Sequence, residues 1–323
     1  TIAFFIIAGF LFAENSKNYN VFRYVKRRMD SIFKPWLIWS LIFLFLLTVG
    51  TTVKSLVAGA PFSMILSDWR LGAKTVYLHS NYWLIMNFFF CLAVLLICKD
   101  ILHSWLFGGV LFLLTTFYSI NVHTEWIMPQ HTTAIFGFVF FYWLGAQFNH
   151  RFEAIEKKLK TTSGWWFMLA VAATLFLAVH EASFLSELKS VDPLNTLRIS
   201  NVIFSVAVFA ALLKVKSLRW LSFLQPGKTT YGIFLIHYIV LFSFLPYFMG
   251  ELNSNITREF TAMEMFRYQL LRFLTVYILT FVIVKAFAKS EYSWMIGIKP
   301  YTKPATQQAT HQERRIVLET EAA

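Results

Sequence analysis

The sequence predicts an all-α fold, a polytopic membrane helix bundle, and three observations predict it. The first is composition: 57% of the 323 residues are hydrophobic and only 14% charged, whereas a soluble domain carries about 25% charged residues. The second is patterning. Charged residues cut the chain into nine mostly apolar stretches, uncharged except for Arg272 in the last, and a spanning helix needs about 20 such residues, range ~17–25. The third is charge placement. Alternating the loops of nine transmembrane helices puts 21 of the 29 basic residues on one side with 9 of the 17 acids, and leaves the other side neutral. That asymmetry is the positive-inside pattern. It places residues 14–34 and the C-terminal tail in the cytoplasm, and makes the lipid bilayer rather than nucleic acid the partner of the +12 charge.

In chain order, the first stretch, 1–13, opens on Thr1 rather than Met, so the chain is expected to begin beside or inside a helix. The second, 35–53, has Pro35 in its first turn, where a missing N–H costs nothing. The third, 75–98, carries Cys91 and Cys98, seven apart and read as small apolar residues on one helix face; two cysteines make no disulfide framework. Next come 101–124, 126–150 and 161–180. The short stretch 199–213 spans if Arg198 and Lys214 turn their heads outward. The last two are 229–250 and 268–284, the latter with Arg272 near its outer boundary. Trp36, Trp69, Trp83, Trp126, Trp165, Trp166 and Trp220 fall near stretch ends, where aromatic belts form. The continuous apolar character excludes the alternating pattern of a membrane β-barrel, and no internal repeat is present. A membrane domain over 1–289 and a solvated tail over 290–323 follow.

Three places carry polar groups with chemical potential. The densest is FRYVKRRMDSIFKPWLIW, residues 22–39. A helix beginning at Pro35 would offer free N–H groups and positive dipole to a phosphate, with Lys26, Arg27, Arg28 and Lys34 close before it. Such a site suits a multiply phosphorylated ligand such as a nucleotide or coenzyme A, although basic residues before a span also set topology and meet lipid headgroups. The second is GKTTYGIFLIHYIVL, 227–241. Its GKT is not a P-loop, which needs a glycine where Ser222 stands and a preceding strand. Its His237 is an intramembrane ionisable group and hence a functional candidate. The third comprises His79, His123, Glu125 and His131 in the outer loops 53–82 and 119–133; their spacing is no tight metal-ligand pattern. Asn255-Ile256-Thr257 is a glycosylation sequon in an outer loop.

Three of these segments, in order, resemble the signatures of the acyltransferase family 3 membrane proteins. FFIIAGFLF (4–12) resembles the family's F-F-x-x-S-G-F-L, YVKRRMDSIFKPWLIW (24–39) its basic K-R-R-x-x-R-I-x-P-x-Y, and LSFLQPGKTTYGIFLIH (221–237) its L-x-x-L-G-x-x-S-Y-G-I-Y-L-x-H. NYWLI (81–85) is similar to its W-F-L stretch. The resemblance implies ten membrane helices and transfer of an acyl group, often acetyl from cytoplasmic acetyl-CoA, to a hydroxyl of an outer or lipid-linked glycan. Surface-polysaccharide O-acetylation at a bacterial inner membrane is the nearest case, with no bound cofactor and acyl-CoA as donor substrate. Arg27 and Arg28 become phosphate contacts, with Lys26 and Lys34 adding field. Trp83, Tyr231 and His237 line the cavity, and His123 and Glu125 stand on the acceptor side. Two departures matter: Ser31 occupies the place of a family arginine, and Ala8 that of a serine. The family's presumed catalytic histidine sits on a first helix that would precede Thr1, so this chain is expected to lack its base, leaving His237 as the in-chain candidate. The competing reading is a transporter or glycan flippase.

Overall fold

The computed structural model describes residues 1–16, 20–130, 132–215, 219–246 and 261–298; of these 84% are helical and none lies in a strand. The helices are α1 (Ile2–Ser16), α2 (Val21–Arg28), α3 (Lys34–Val57), α4 (Phe62–Lys74), α5 (Trp83–Ile97), α6 (Trp105–Thr124), α7 (Val139–His150), α8 (Phe152–Thr161), α9 (Gly164–Glu187), α10 (Ile199–Lys214), α11 (Pro226–Ile239) and α12 (Ala262–Ala288). The chain divides into two units, 1–224 and 225–323.

Each of the nine apolar stretches contains a helix, but not each helix is a full span. Among the described residues four helices are long and apolar enough to cross a membrane: the continuous run Val21–Val57, α6, α9 and Met263–Ala288 of α12. A fifth is added if Phe62–His79 and Trp83–Ile97, bent by 56° at their junction, count as one. Others stop short: α1, α7 and α10 have 15, 12 and 16 residues, below the ~17 a span requires; α11 has 14 and runs on into a π-helical turn over Val240–Phe244. The expected helix over 126–150 shows why an uncharged stretch misleads. Glu125 ends α6 in a left-handed conformation (φ 52°). Asn121 then grips Ile127 from both sides, its Nδ2 donating to the carbonyl and its Oδ1 accepting from the N–H, each at 2.9 Å. Pro129 follows, and helical structure resumes only at Ile135. Similarly, the expected outer loop 53–82 holds α4 and a wide π-helical turn over Thr75–His79.

In the first unit α1 and α7 cross at glycines. A Cβ on Gly9 would sit 1.8 Å from the Tyr142 carbonyl oxygen, and one on Gly145 2.0 Å from that of Ile6. Small residues let helix backbones approach closely, which is how membrane helices associate without a hydrophobic driving force between them. The pair is sealed by Phe5, Ile6, Phe138 and Phe141, all fully buried. Helix α6 joins α7 through Gly108, which lies directly under the Trp143 ring. The Leu102 carbonyl just before α6 accepts from Trp143 Nε1 at 2.7 Å and Gln147 Nε2 at 2.8 Å. Trp36, expected in a belt, is instead buried and donates to the Tyr82 carbonyl at 3.1 Å. Trp165 and Trp166 at the start of α9 are exposed, as an interfacial belt requires.

In the second unit Gly232 of α11 admits Val284 of α12 and Ile296. Ile296 belongs to a short 3-10 turn over Glu291–Ile296 in which Ser293 and Ile296 are buried, so the first residues of the expected solvated tail are folded.

Candidate functional site

The basic segment is helical from end to end. Asn20 caps α2, its Oδ1 accepting the Phe22 N–H at 2.9 Å. Pro35 has no N–H to give the carbonyl four residues before it, a defect that breaks or kinks an ordinary helix. Here the backbone widens into a π-helical turn over Met29–Phe33, in which the Lys34 N–H reaches back to Met29. Such single wide turns absorb an interruption without ending the helix. The expected helix N-terminus at Pro35 is therefore absent. The free N–H groups lie at the start of α2 instead, and the basic side chains must act by their own charge.

Those side chains fall into different environments. Lys34 is exposed and bonded to Asp30 one turn back, Nζ to Oδ1 at 2.5 Å. Lys26 and Arg27 are exposed, and the Arg27 carbonyl accepts from the Ser31 hydroxyl at 2.8 Å. Arg28 differs. It is half-buried, its Nε donates to the Tyr24 hydroxyl at 3.1 Å, and its guanidinium carbon lies 5.0 Å from the Tyr24 ring centroid. Tyr24 is itself buried, edge-on to Phe12 of α1 at 5.8 Å. Among the described residues Arg28 has no carboxylate partner. The Tyr24 hydroxyl and ring offset part of the desolvation cost of this cation, and an anion would offset more.

Beside Arg28 lies a polar cluster that the sequence reading passed over. Tyr142 of α7 is fully buried, its ring packed on Phe12, which also packs on Tyr24, and its hydroxyl facing that of Tyr24. On α5, the Cys91 thiol donates to Asn87 Oδ1 at 3.5 Å. The wide turn after α2 meets this helix through Phe33 and Phe89, rings 5.5 Å apart. Cys98 stands just past the end of α5 and does not share this cluster.

The second polar cluster sits where α6, α9 and α10 end or begin. His123 Nε2 donates to Glu181 Oε1 at 2.7 Å, and Glu181 Oε2 accepts from both the N–H and the hydroxyl of Ser200. Nearby, Arg198 donates to the Ala178 and Asn195 carbonyls at 2.9 and 3.1 Å. Glu125 does not join His123. Its carboxylate accepts from the Val191 N–H at 2.9 Å and the Ser190 hydroxyl at 2.8 Å, bonds that hold it below the ordinary carboxylate pKa. His131 and the sequon at 255–257 lie outside the described residues.

The three expected cavity residues divide between the units. Trp83, in the first, packs its ring against Phe138 at 5.3 Å. Tyr231 and His237, in the second, lie on one face of α11 with Phe234 between their rings. His237 Nδ1 is 2.9 Å from the Ile233 carbonyl. A carbonyl only accepts, so Nδ1 carries a proton. Among the described residues no three His, Cys, Asp or Glu side chains gather as a metal site.

Sequence reasoning thus found Arg28 but missed Tyr24, Tyr142, Asn87 and Glu181. Tyr24 was legible: it precedes Arg28 by four residues, and i,i+4 side chains meet on a helix. Nothing in the sequence joins Tyr142 or Glu181 to partners more than fifty residues away.

A family model described as an acyltransferase domain matches residues 2–289. No curated protein matches the chain, and no solved structure does.

Proposed function

The chain belongs to acyltransferase family 3, an integral membrane protein, and from that premise we propose that it moves an acyl group from an acyl-CoA bound at α2 to a hydroxyl of a glycan, extracytoplasmic or lipid-linked. The observation that carries the donor half is Arg28, a half-buried cation fixed by Tyr24 and lacking a carboxylate. Coenzyme A brings phosphates, and arginine holds phosphate through charge-assisted, directional hydrogen bonds. Arg27 and Lys26, exposed one and two residues earlier, add positive field, and Lys34 adds less because Asp30 neutralises it. The reaction balances without a metal or redox partner. The acceptor oxygen forms a bond to the thioester carbon, the carbon–sulfur bond breaks, and the hydroxyl proton ends on the coenzyme A thiolate. His237 is the in-chain candidate for taking that proton. His123 and Glu125 belong to the acceptor side of this reading, and acetyl is the simplest acyl group.

The bent pair Phe62–His79 and Trp83–Ile97 is the feature that suits a transporter, since broken helices line many transport sites. The acyltransferase match over nearly the whole membrane part outweighs it.

The test is equilibrium binding of radiolabelled acetyl-CoA to the purified chain in detergent, followed by transfer of label to glycan fractions in membranes. Binding that weakens with salt and is lost in Arg27→Ala with Arg28→Ala supports the reading. Donor affinity unchanged in that double variant would assign both arginines to topology alone.

A further inference from the structure

Among the described residues, two buried hydrogen-bonding groups on α5 and α7 are unfilled. Tyr142 is fully buried, its ring 6.0 Å from Phe12 of α1 and 5.8 Å from Phe88 of α5, and its hydroxyl, which faces that of Tyr24, completes no well-aligned hydrogen bond among the described residues. Asn87 is 3% exposed; its Oδ1 serves the Cys91 thiol, while Nδ2 has no partner. Buried polar side chains are paired in the great majority of cases, and one left unmade is destabilising. Geometry links these two groups to the arginine in steps: Arg28 rests on Tyr24, Tyr24 and Tyr142 both pack on Phe12, and Tyr142 packs on Phe88, the neighbour of Asn87 on α5. The result is a fixed cation and, deeper in the same unit, unfilled donors on helices α5 and α7. The ligand that matches has an anionic part for Arg28 and, further along, a neutral oxygen that accepts hydrogen bonds. An acyl thioester of a phosphorylated carrier has both.

We propose that the Tyr142 hydroxyl and the Asn87 side-chain amide donate hydrogen bonds to the thioester carbonyl oxygen of the acyl donor, an assignment that rests on the donor reading above. When the acceptor oxygen attacks the carbonyl carbon, the π electrons of the carbonyl move onto that oxygen. Donors already aimed there stabilise the charge as it develops. When the carbonyl re-forms, the carbon–sulfur bond breaks and the thiolate leaves with the acceptor's proton. The Phe12 and Phe88 rings that pack on Tyr142 must yield as the thioester arrives.

The experiment compares two ligands of equal length, acetyl-CoA and S-ethyl-CoA, a thioether with no carbonyl oxygen, by equilibrium binding to the purified full chain. The wild type is expected to prefer acetyl-CoA by roughly three- to tenfold, the range of one or two neutral hydrogen bonds. Tyr142→Phe and Asn87→Leu should each shrink that preference while leaving S-ethyl-CoA affinity unchanged. Thermal unfolding checks folding: Tyr142→Phe removes an unpaired buried hydroxyl and should leave the midpoint equal or higher. A preference that persists in both variants, or is absent from the wild type, overturns the assignment and is the result expected if a buried water alone serves these groups. Failure of the wild type to bind either ligand overturns the donor reading and this assignment with it, which separates the two failures.

Discussion

The first unit holds two polar clusters, and they are built on opposite principles. Around Glu181 the polar groups answer one another. His123 and Ser200 occupy both carboxylate oxygens, and Arg198 beside them donates to two carbonyls. On the Arg28 side they do not: among the described residues the guanidinium has one neutral partner, and the Tyr142 hydroxyl and Asn87 Nδ2 deeper in the unit complete no hydrogen bond. A satisfied network in a low-dielectric setting rigidifies the fold, whereas an unsatisfied one is held against its own cost by the surrounding structure. Folding stability should therefore be read at the first cluster and ligand recognition at the second.

The largest expected effect is Arg28→Ala. It removes a charge-assisted contact to the proposed donor phosphates, worth about 1.5–3 kcal/mol, so acyl-CoA affinity should fall by roughly one to two orders of magnitude. The thermal midpoint should hold, because no carboxylate is left unpaired. Equal affinity for wild type and variant in titration calorimetry would break the contrast at its functional end. Next is Glu181→Ala, which strands the Ser200 N–H and the His123 imidazole. Stranded buried donors cost about 1–3 kcal/mol each, less where water reaches them, and Glu181 and His123 are partly exposed. A loss of about 1–3 kcal/mol in thermal unfolding is expected, with donor affinity unchanged. A variant as stable as wild type would show that this cluster does not hold the fold.

Smaller is Tyr24→Phe. The ring remains beneath the guanidinium, so the cation–π contact persists, and only the hydrogen bond to Arg28 Nε is lost. The expected change is about 0.5–1.5 kcal/mol in donor binding, a few-fold in affinity. That intermediate value sharpens the comparison by separating the charge of Arg28 from its orientation.

How much of this was legible in the sequence follows from what each signal measures. The apolar stretches located a helix in every predicted region, because hydropathy and helical backbone satisfaction act together in a bilayer. Span lengths were not legible. A loop such as 126–134, which follows Glu125 in its left-handed turn and has Ile127 gripped by Asn121, carries no Asp, Glu, Lys or Arg, so the spacing of charges does not separate it from helix. The FFIIAGFLF signature carried Gly9, whose reason is visible only in three dimensions: its Cβ would collide with the Tyr142 carbonyl. The charges of the α2 segment were legible, but not their inequality. Tyr24 takes Arg28 within α2, whereas Asp30 takes Lys34 across the π-helical turn that joins α2 to α3 instead of a break at Pro35.

The smallest effect tests the satisfied side by pH. Glu125 lies outside the membrane spans, and bonds from the Val191 N–H and the Ser190 hydroxyl depress its pKa. A carboxylate whose folded pKa lies below its unfolded value of about 4.3 contributes stability that is complete above the unfolded value and is lost as pH falls through the folded one. Other acids titrate over the same range, so the informative quantity is the difference in thermal midpoint between wild type and Glu125→Ala, measured in detergent. That difference should be constant near neutrality and shrink below about pH 4.3, as the protonated carboxyl loses its advantage as an acceptor. A gap that stays constant to pH 3 would mean the 190–191 turn is held by something other than charge on Glu125. The polar groups on this side would then be satisfied by geometry alone, and the contrast with Arg28 would rest on Glu181.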